Sequence, residues 1–221
     1  MTRLLVLRPE PGASATVAKA RTKGLHAVAV PLFEIESVEW RSPEAGDFDG
    51  LLLTSASAVR FGGERLAALR GLKVYAVGEA TAEAARAAGF DIAEIGDGGV
   101  TRLLGSMEPD LRLLHLCGAD RHEPTDFKQA ITSLVVYRAQ PVDNPDLRET
   151  GASVALIHSP RTGRRFAELI DDRSNLRIAA ISSAAAEAVG DGWRAIAVAD
   201  RPSDDALLAL AARLCEKPDP K

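Results

Sequence analysis

Ser55 and Ser159 each end a short apolar run and stand just before a helical segment. A serine in that place accepts a hydrogen bond from a free backbone N–H of the first helical turn, so its plainest role is a cap. At the carboxyl end of a parallel strand, the same N–H groups also point outward and attract anions. The two roles are compatible, and both serines are candidate ligand contacts. Gly78 and Ser182 close the next apolar runs of the same two stretches, and Ser183 follows Ser182. Gly78 serves the turn and also lets a ligand approach the backbone. Arg8 ends the first apolar run, either as a surface charge or as a partner for an anion. Arg161, Arg164 and Arg165 follow Ser159. Their spacing puts Arg161 and Arg165 on one helical face, and guanidinium groups pair well with carboxylates. For Arg164 and Arg165 a solvated helix face is the plainer reading. Together these residues suit the holding of an anionic molecule.

Other constellations lack what their chemistry needs. His115, Cys117 and His122 have metal-ligand character, and His115 and Cys117 share one face of a strand. A zinc site needs a fourth ligand, or three and an open water position, and no further carboxylate is placed by the sequence. No metal is expected. Gly96-Asp97-Gly98-Gly99 lacks both the Lys-Ser/Thr pair of a phosphate loop and a dinucleotide fingerprint. It reads as a loop facing a cleft.

Short apolar runs and Ala-rich amphipathic segments must position these residues. Strands are expected over 3–8, 26–30, 50–54, 73–77, 92–95, 112–116, 133–137, 153–158, 177–181 and 195–199. Helices are expected over 13–23, 56–69, 79–88, 100–107, 124–130, 162–170, 183–189 and 203–215. Such alternation argues for parallel sheets with helices on both faces. Leu51-Leu52-Leu53 fits a strand buried on both sides. Ser203 precedes one helix, with Asp204 and Asp205 in its first turn. Gly24 and Gly89 follow helices as left-handed caps do.

The pattern occurs twice, 104 positions apart. Leu51–Ser55 aligns with Ala155–Ser159, Lys73–Gly78 with Arg177–Ser182, Ala82–Ala84 with Ala186–Ala188, and Leu103-Leu104 with Leu207-Leu208. One register serves all four blocks. The expected fold is therefore α/β with two similar lobes, each a parallel sheet flanked by helices, and a cleft between them. Residues 1–33 with 142–221 would form the first lobe and 39–134 the second. Segments 34–38 and 135–141 would cross between them as a two-stranded hinge.

The totals exclude several classes. A hydrophobic fraction of 46% with 26% charged residues fits a soluble globular chain. A net charge of −4 gives no general pull toward nucleic acid or acidic lipid. Two cysteines in no motif suggest a reducing compartment. With neither a signal peptide nor a membrane span in view, a cytoplasmic protein is expected.

Several segments together carry a family likeness. Val6-Leu7-Arg8-Pro9, Pro31-Leu32-Phe33-Glu34-Ile35, Leu53-Thr54-Ser55-Ala56-Ser57-Ala58-Val59 and Val77-Gly78-Glu79-Ala80-Thr81-Ala82 are four of them. Leu116 to Arg121 is similar to a "GxxR" loop, and Val136-Tyr137-Arg138 to a returning "VYR" strand. In this order the chain resembles uroporphyrinogen-III synthase over nearly its full length. It differs at Ile181-Ser182-Ser183-Ala184-Ala185, where the family often carries threonine, and in a short 118–137 segment.

The resemblance implies a cofactor-free cyclisation of hydroxymethylbilane, a linear tetrapyrrole with eight carboxylates. Water leaves, the last ring attacks through its substituted carbon, and a spiro intermediate resolves with that ring inverted. It implies Tyr137 as the hydrogen-bond donor to the leaving hydroxyl, since a phenol stays protonated at neutral pH. The plainer reading of Tyr137 is a packed hinge aromatic. It implies Arg8, Ser55, Gly78, Arg121, Ser159, Arg161, Ser182 and Ser183 as substrate contacts. A monomer is expected, with a transient contact to the enzyme supplying the substrate. Two other readings stay open: a non-catalytic two-lobed module binding a small anion, and a phosphoryl-type transferase, which lacks its loop.

Overall fold

The central strands are apolar on both faces, so water is excluded from both, and successive parallel strands must be joined by helical crossovers. The computed structural model describes residues 2–120, 127–147 and 153–216. The strands are β1 (Leu4–Val6), β2 (Ala27–Ala29), β3 (Phe33–Ser37), β4 (Gly50–Leu53), β5 (Val74–Val77), β6 (Ile92–Gly96), β7 (Arg112–Gly118), β8 (Ala130–Pro141), β9 (Val154–Ile157), β10 (Arg177–Ala180) and β11 (Ala195–Val198). The helices are α1 (Gly12–Thr22), α2 (Ala56–Phe61), α3 (Glu79–Ala87), α4 (Val100–Ser106), α5 (Pro160–Leu169), α6 (Ser183–Glu187) and α7 (Asp204–Glu216). Two short 3-10 turns cover Ala45–Asp47 and Glu64–Leu69.

The chain divides into two compact units, Met1–Glu34 with Pro141–Lys221, and Ile35–Gln140. The first holds a sheet of order β11-β10-β9-β1-β2, with parallel neighbours throughout. On one face Leu4, Val6, Val154, Leu156 and Ala179 pack against Val17 and Ala20 of α1 and Leu207, Leu210 and Ala211 of α7. The second holds a sheet of order β3-β8-β7-β4-β5-β6, parallel from β8 to β6. Leu51, Leu53, Val74, Ala76, Leu114 and Leu116 pack against Ala58 and Val59 of α2 and Ala82 and Ala85 of α3. Leu52 and Leu113 face Leu103 and Leu104 of α4 on the other side. Val142 N–H donates to Leu32 O, and Val38 N–H donates to Val136 O, so β3 and β8 run in opposite directions.

The repeat survives in three dimensions. A shift of 104 carries β4 onto β9 and the starts of α2, α3 and α4 onto those of α5, α6 and α7.

Two expected helices are corrected. The helix over 56–69 stops at Phe61 and resumes as a 3-10 turn. Gly63 sits at φ 70°, a region that favours glycine, and Gly62 O accepts the indole N–H of Trp40 at 2.9 Å. The helix over 124–130 does not form in its described part. Ala130 already belongs to β8, and Ala130 N–H donates to Leu111 O. Buried Gln129 instead spends its amide on the carbonyls ending α4: Nε2 donates to Leu104 O at 3.0 Å, Met107 O at 3.3 Å and Glu108 O at 3.0 Å. Helix-terminal carbonyls need such partners. Gln129→Leu should therefore cost about 2 kcal/mol by orphaning those carbonyls, read as a lower urea midpoint at unchanged m-value.

Candidate functional site

In an open parallel sheet, ligands collect outside the carboxyl ends of the strands, where the strand order reverses. In the Ile35–Gln140 unit, β4 leads through α2 to β5 on one side, and β7 leads to β8 on the other. The reversal lies between β4 and β7. Ser55 follows β4, and its Oγ accepts Ser57 N–H at 3.2 Å as the cap of α2. Gly78 follows β5 at φ 80°, with its N–H donated to Gly96 O at 2.8 Å and its carbonyl accepting Thr81 and Ala82 N–H. A side chain there would meet open space, so the backbone angle alone selects glycine.

Tyr137 comes to this same edge. Gly118, the last residue of β7, pairs with Tyr137, and Ala119 N–H donates to Tyr137 O at 3.0 Å. Cys117 pairs with Val135, so Val136 is an extra residue in β8. Such a bulge redirects the side chains beyond it. Val136 is fully buried, while Tyr137 is partly open. The ring lies on Gly118, where a Cβ would come within 2.7 Å of ring carbons and 3.0 Å of the hydroxyl oxygen. Phe61 stands on its other flank, with ring centroids 6.5 Å apart. Beside this edge, His115 is buried, its Nε2 3.1 Å from Thr54 Oγ1 and its Nδ1 3.4 Å from Ser133 Oγ. Hydroxyls therefore face both of its ring nitrogens.

In the other unit, β1 leads through α1 to β2, and β9 leads through α5 to β10 in the opposite direction. The reversal lies between β1 and β9. Arg8 lies just past β1 and Ser159 just past β9, with Ser182 and Ser183 past β10. Ser159 Oγ accepts Thr162 N–H at 3.2 Å, and Ser182 Oγ accepts Ala185 N–H at 3.3 Å, so both cap helices. Ser183 is exposed in the first turn of α6. The guanidinium of Arg161 lies over the Phe33 ring, 4.4 Å from its centroid, a cation–π contact rather than a free charge. Arg164 is exposed, as a solvated face requires. Arg165 is not so placed: one of its N–H groups meets Val142 O at 3.4 Å and another meets Glu168 at 3.4 Å. Arg121 and His122 lie outside the described residues.

The structure adds a cluster that the sequence hid. Asp204, first residue of α7, receives Thr16 Oγ1–H at 2.9 Å, His158 Nε2 at 3.0 Å and one Arg8 N–H at 3.4 Å. Burial pushes its carboxyl up. The hydrogen bonds from His158 and Thr16, with the electrostatic pull of His158 and Arg8, outweigh burial and hold it at about 2. Asp204 read as a first-turn acid in the sequence, which it is. The available signal was His158, which the repeat places where Thr54 stands. In the Ile35–Gln140 unit, at the amino end of β4, hydrogen bonds from Arg112 hold Asp49 at about 2 as well.

A carboxyl held below its ordinary value contributes stability above its unfolded value and loses it as pH falls through its folded value. For Asp204 the window runs from about pH 4 down to about pH 2. Its share is on the order of 1–2 kcal/mol once partial solvation is allowed for. The stability gap between the parent chain and Asp204→Asn should narrow across that window, read from urea midpoints at stepped pH. A constant gap would show that the charge is not what His158 and Thr16 hold.

The family model of uroporphyrinogen-III synthase matches residues 14–209. No curated relative matches the sequence at comparable significance. Among solved structures, the uroporphyrinogen-III synthetase of Helicobacter pylori is similar with a TM-score of 0.70 at 18% identity, over 97% of this chain and 100% of that one. A mutant uroporphyrinogen III synthase of Thermus thermophilus is similar with a TM-score of 0.51 at 19% identity, over 98% and 100%. At those identities the two structures speak for the fold.

Proposed function

The chain belongs to the uroporphyrinogen-III synthase family, and we propose that it carries out that family's reaction with Tyr137 as hydrogen-bond donor. The protein is a cyclising lyase. It closes linear hydroxymethylbilane with loss of water and inversion of the last ring, giving uroporphyrinogen III. The alternative of a non-catalytic anion-binding module is not favoured.

The chemistry asks little acid–base work of the protein. Pyrrole nitrogens expel the hydroxide themselves, and no cofactor is needed for that step. The larger task is to hold a flexible chain in the geometry from which the spiro intermediate forms, an orientation effect. Tyr137 acts as hydrogen-bond donor to the departing hydroxyl. The observation that carries this role is its placement: the bulge at Val136 turns Tyr137 onto Gly118 at the carboxyl end of β7. Family likeness offers Ser55 and Gly78 in one unit, and separately Arg8, Ser159, Ser182 and Ser183 in the other, as contacts for substrate carboxylates. Arg161 contributes through the same face as Phe33, and Arg121 belongs to the same reading by family likeness.

No helix among the described residues is long and apolar enough to cross a membrane. A cytoplasmic setting belongs to the same reading. The proposal is of a monomer, in transient contact with the enzyme supplying its substrate.

The test is incubation with enzymatically generated hydroxymethylbilane, with separation of type I and type III isomers after oxidation. Excess type III over a protein-free control is the expected result; type I alone, the spontaneous product, refutes the assignment. Tyr137→Phe should lower turnover by about 100-fold, within the usual span of general acid catalysis, while product affinity stays within about threefold. Unchanged turnover removes Tyr137 from the mechanism. Gly118→Ala should also lower turnover, because its methyl takes the space of the Tyr137 ring.

A further inference from the structure

Asp204 has more partners than a first-turn helix acid needs. Its Oδ1 meets His158 Nε2 at 3.0 Å and Arg8 at 3.4 Å, and its Oδ2 meets Thr16 Oγ1 at 2.9 Å and Lys19 Nζ at 3.8 Å. We propose that Asp204 is a positioning residue for the cyclisation: it holds the Arg8 guanidinium at the carboxyl end of β1 as a preset receptor for a substrate carboxylate. This rests on the reading of Arg8 as a substrate contact.

Three observations carry it. The first is asymmetry in exposure. The Asp204 side chain is 14% exposed and that of Arg8 38%, so the anchor is enclosed while the guanidinium remains open to a ligand. Arg8 presents five N–H donors in a fixed fork, and its contact with Asp204 uses one nitrogen. The rest of the fork can meet a second carboxylate without breaking the first contact.

The second is that Asp204 does not depend on Arg8. His158 and Thr16 satisfy its two oxygens at shorter distances. His158 has its side chain only 7% exposed, and it commits Nε2 to Asp204. Lys19 adds a further positive charge. Two cations and a histidine around one carboxylate leave the cluster with cationic character to offer an anion. The acids next along the chain, Glu10 and Asp205, meet Ser14 and Lys23 respectively.

The third is the path of the Arg8 side chain. It runs across Gly12, where a Cβ would fall 2.6 Å from its Nε and 2.9 Å from its Cζ. A glycine opening α1 and an aspartate opening α7 thus steer the same guanidinium. Binding an already ordered side chain costs less conformational entropy than ordering a loose one. The gain should therefore appear in substrate affinity rather than in the chemical step.

Steady-state kinetics on hydroxymethylbilane, following type III product, test this with five proteins besides the parent. Arg8→Leu should raise KM about tenfold with kcat within twofold. Asp204→Asn should raise KM three- to tenfold, again with kcat nearly unchanged. The double variant should match Arg8→Leu alone, because Asp204 acts only through Arg8. Thr16→Val removes a bond that holds the same carboxylate, so it should raise KM less than Asp204→Asn does. Gly12→Ala displaces Arg8 without touching Asp204, and should raise KM with little change in Tm. It tests the idea even if Asp204→Asn folds poorly. Unchanged KM in Arg8→Leu overturns the reading of Arg8 and this inference with it. A raised KM in Arg8→Leu, with Asp204→Asn and Gly12→Ala both at parental KM, overturns positioning while leaving Arg8 as a contact. An additive double variant, or a Thr16→Val KM above that of Asp204→Asn, does the same.

Discussion

Parallel strands buried on both faces are the constraint from which the rest follows. Leu51, Leu52 and Leu53 have no exposed surface, nor do Val154, Ala155, Leu156 and Ile157. Each backbone amide in such a strand must pair with a neighbouring strand, and each return of the chain must pass over a face as a helix or a long loop. All carboxyl ends of the parallel strands then share one edge in each unit. Because each unit winds outward in both directions from a central pair, β4 with β7 and β1 with β9, each has one reversal of strand order. The crossovers thus deliver their helix starts to that edge.

The helix starts are made by short side chains. Ser55, Ser159 and Ser182 adopt extended backbone angles and accept an N–H from the first turn. This local economy fixes the entry direction of three helices at the edges where ligand is expected. Capping and binding draw on the same exposed dipoles, so one residue type serves both.

The two copies of the repeat diverge where chemistry is placed. Thr54 and His158 occupy matching positions after β4 and β9. Thr54 bonds to His115 on the neighbouring strand, and the result is a group of hydroxyls around a buried imidazole. His158 bonds to Asp204 on a helix, and the result is a charged group with an open arginine. Tyr137 lies outside the four aligned blocks of the repeat. It comes from β8, on the far side of the reversal, and its direction is set by a single extra residue at Val136.

Much of this was legible in the residues themselves. Apolar runs of strand length, serines and glycines at their ends and one repeat register sufficed for two α/β units and for the caps Ser55, Ser159 and Ser203, because capping and burial depend on near neighbours. The family likeness pointed to Tyr137 and Arg8. The sequence could not give the loss of a helix near Gln129, since that residue is committed to carbonyls more than twenty positions away. Nor could it break the helix after Phe61, where Trp40 reaches Gly62 O. The bulge that turns Tyr137 onto Gly118 is a mismatch between two strands, and the Asp204 cluster joins β1, α1, β9 and α7 across 46 to 196 positions of chain. Periodicity and local chemistry set the elements. Which side chains meet at a sheet edge was decided only when strands distant in sequence were brought into register.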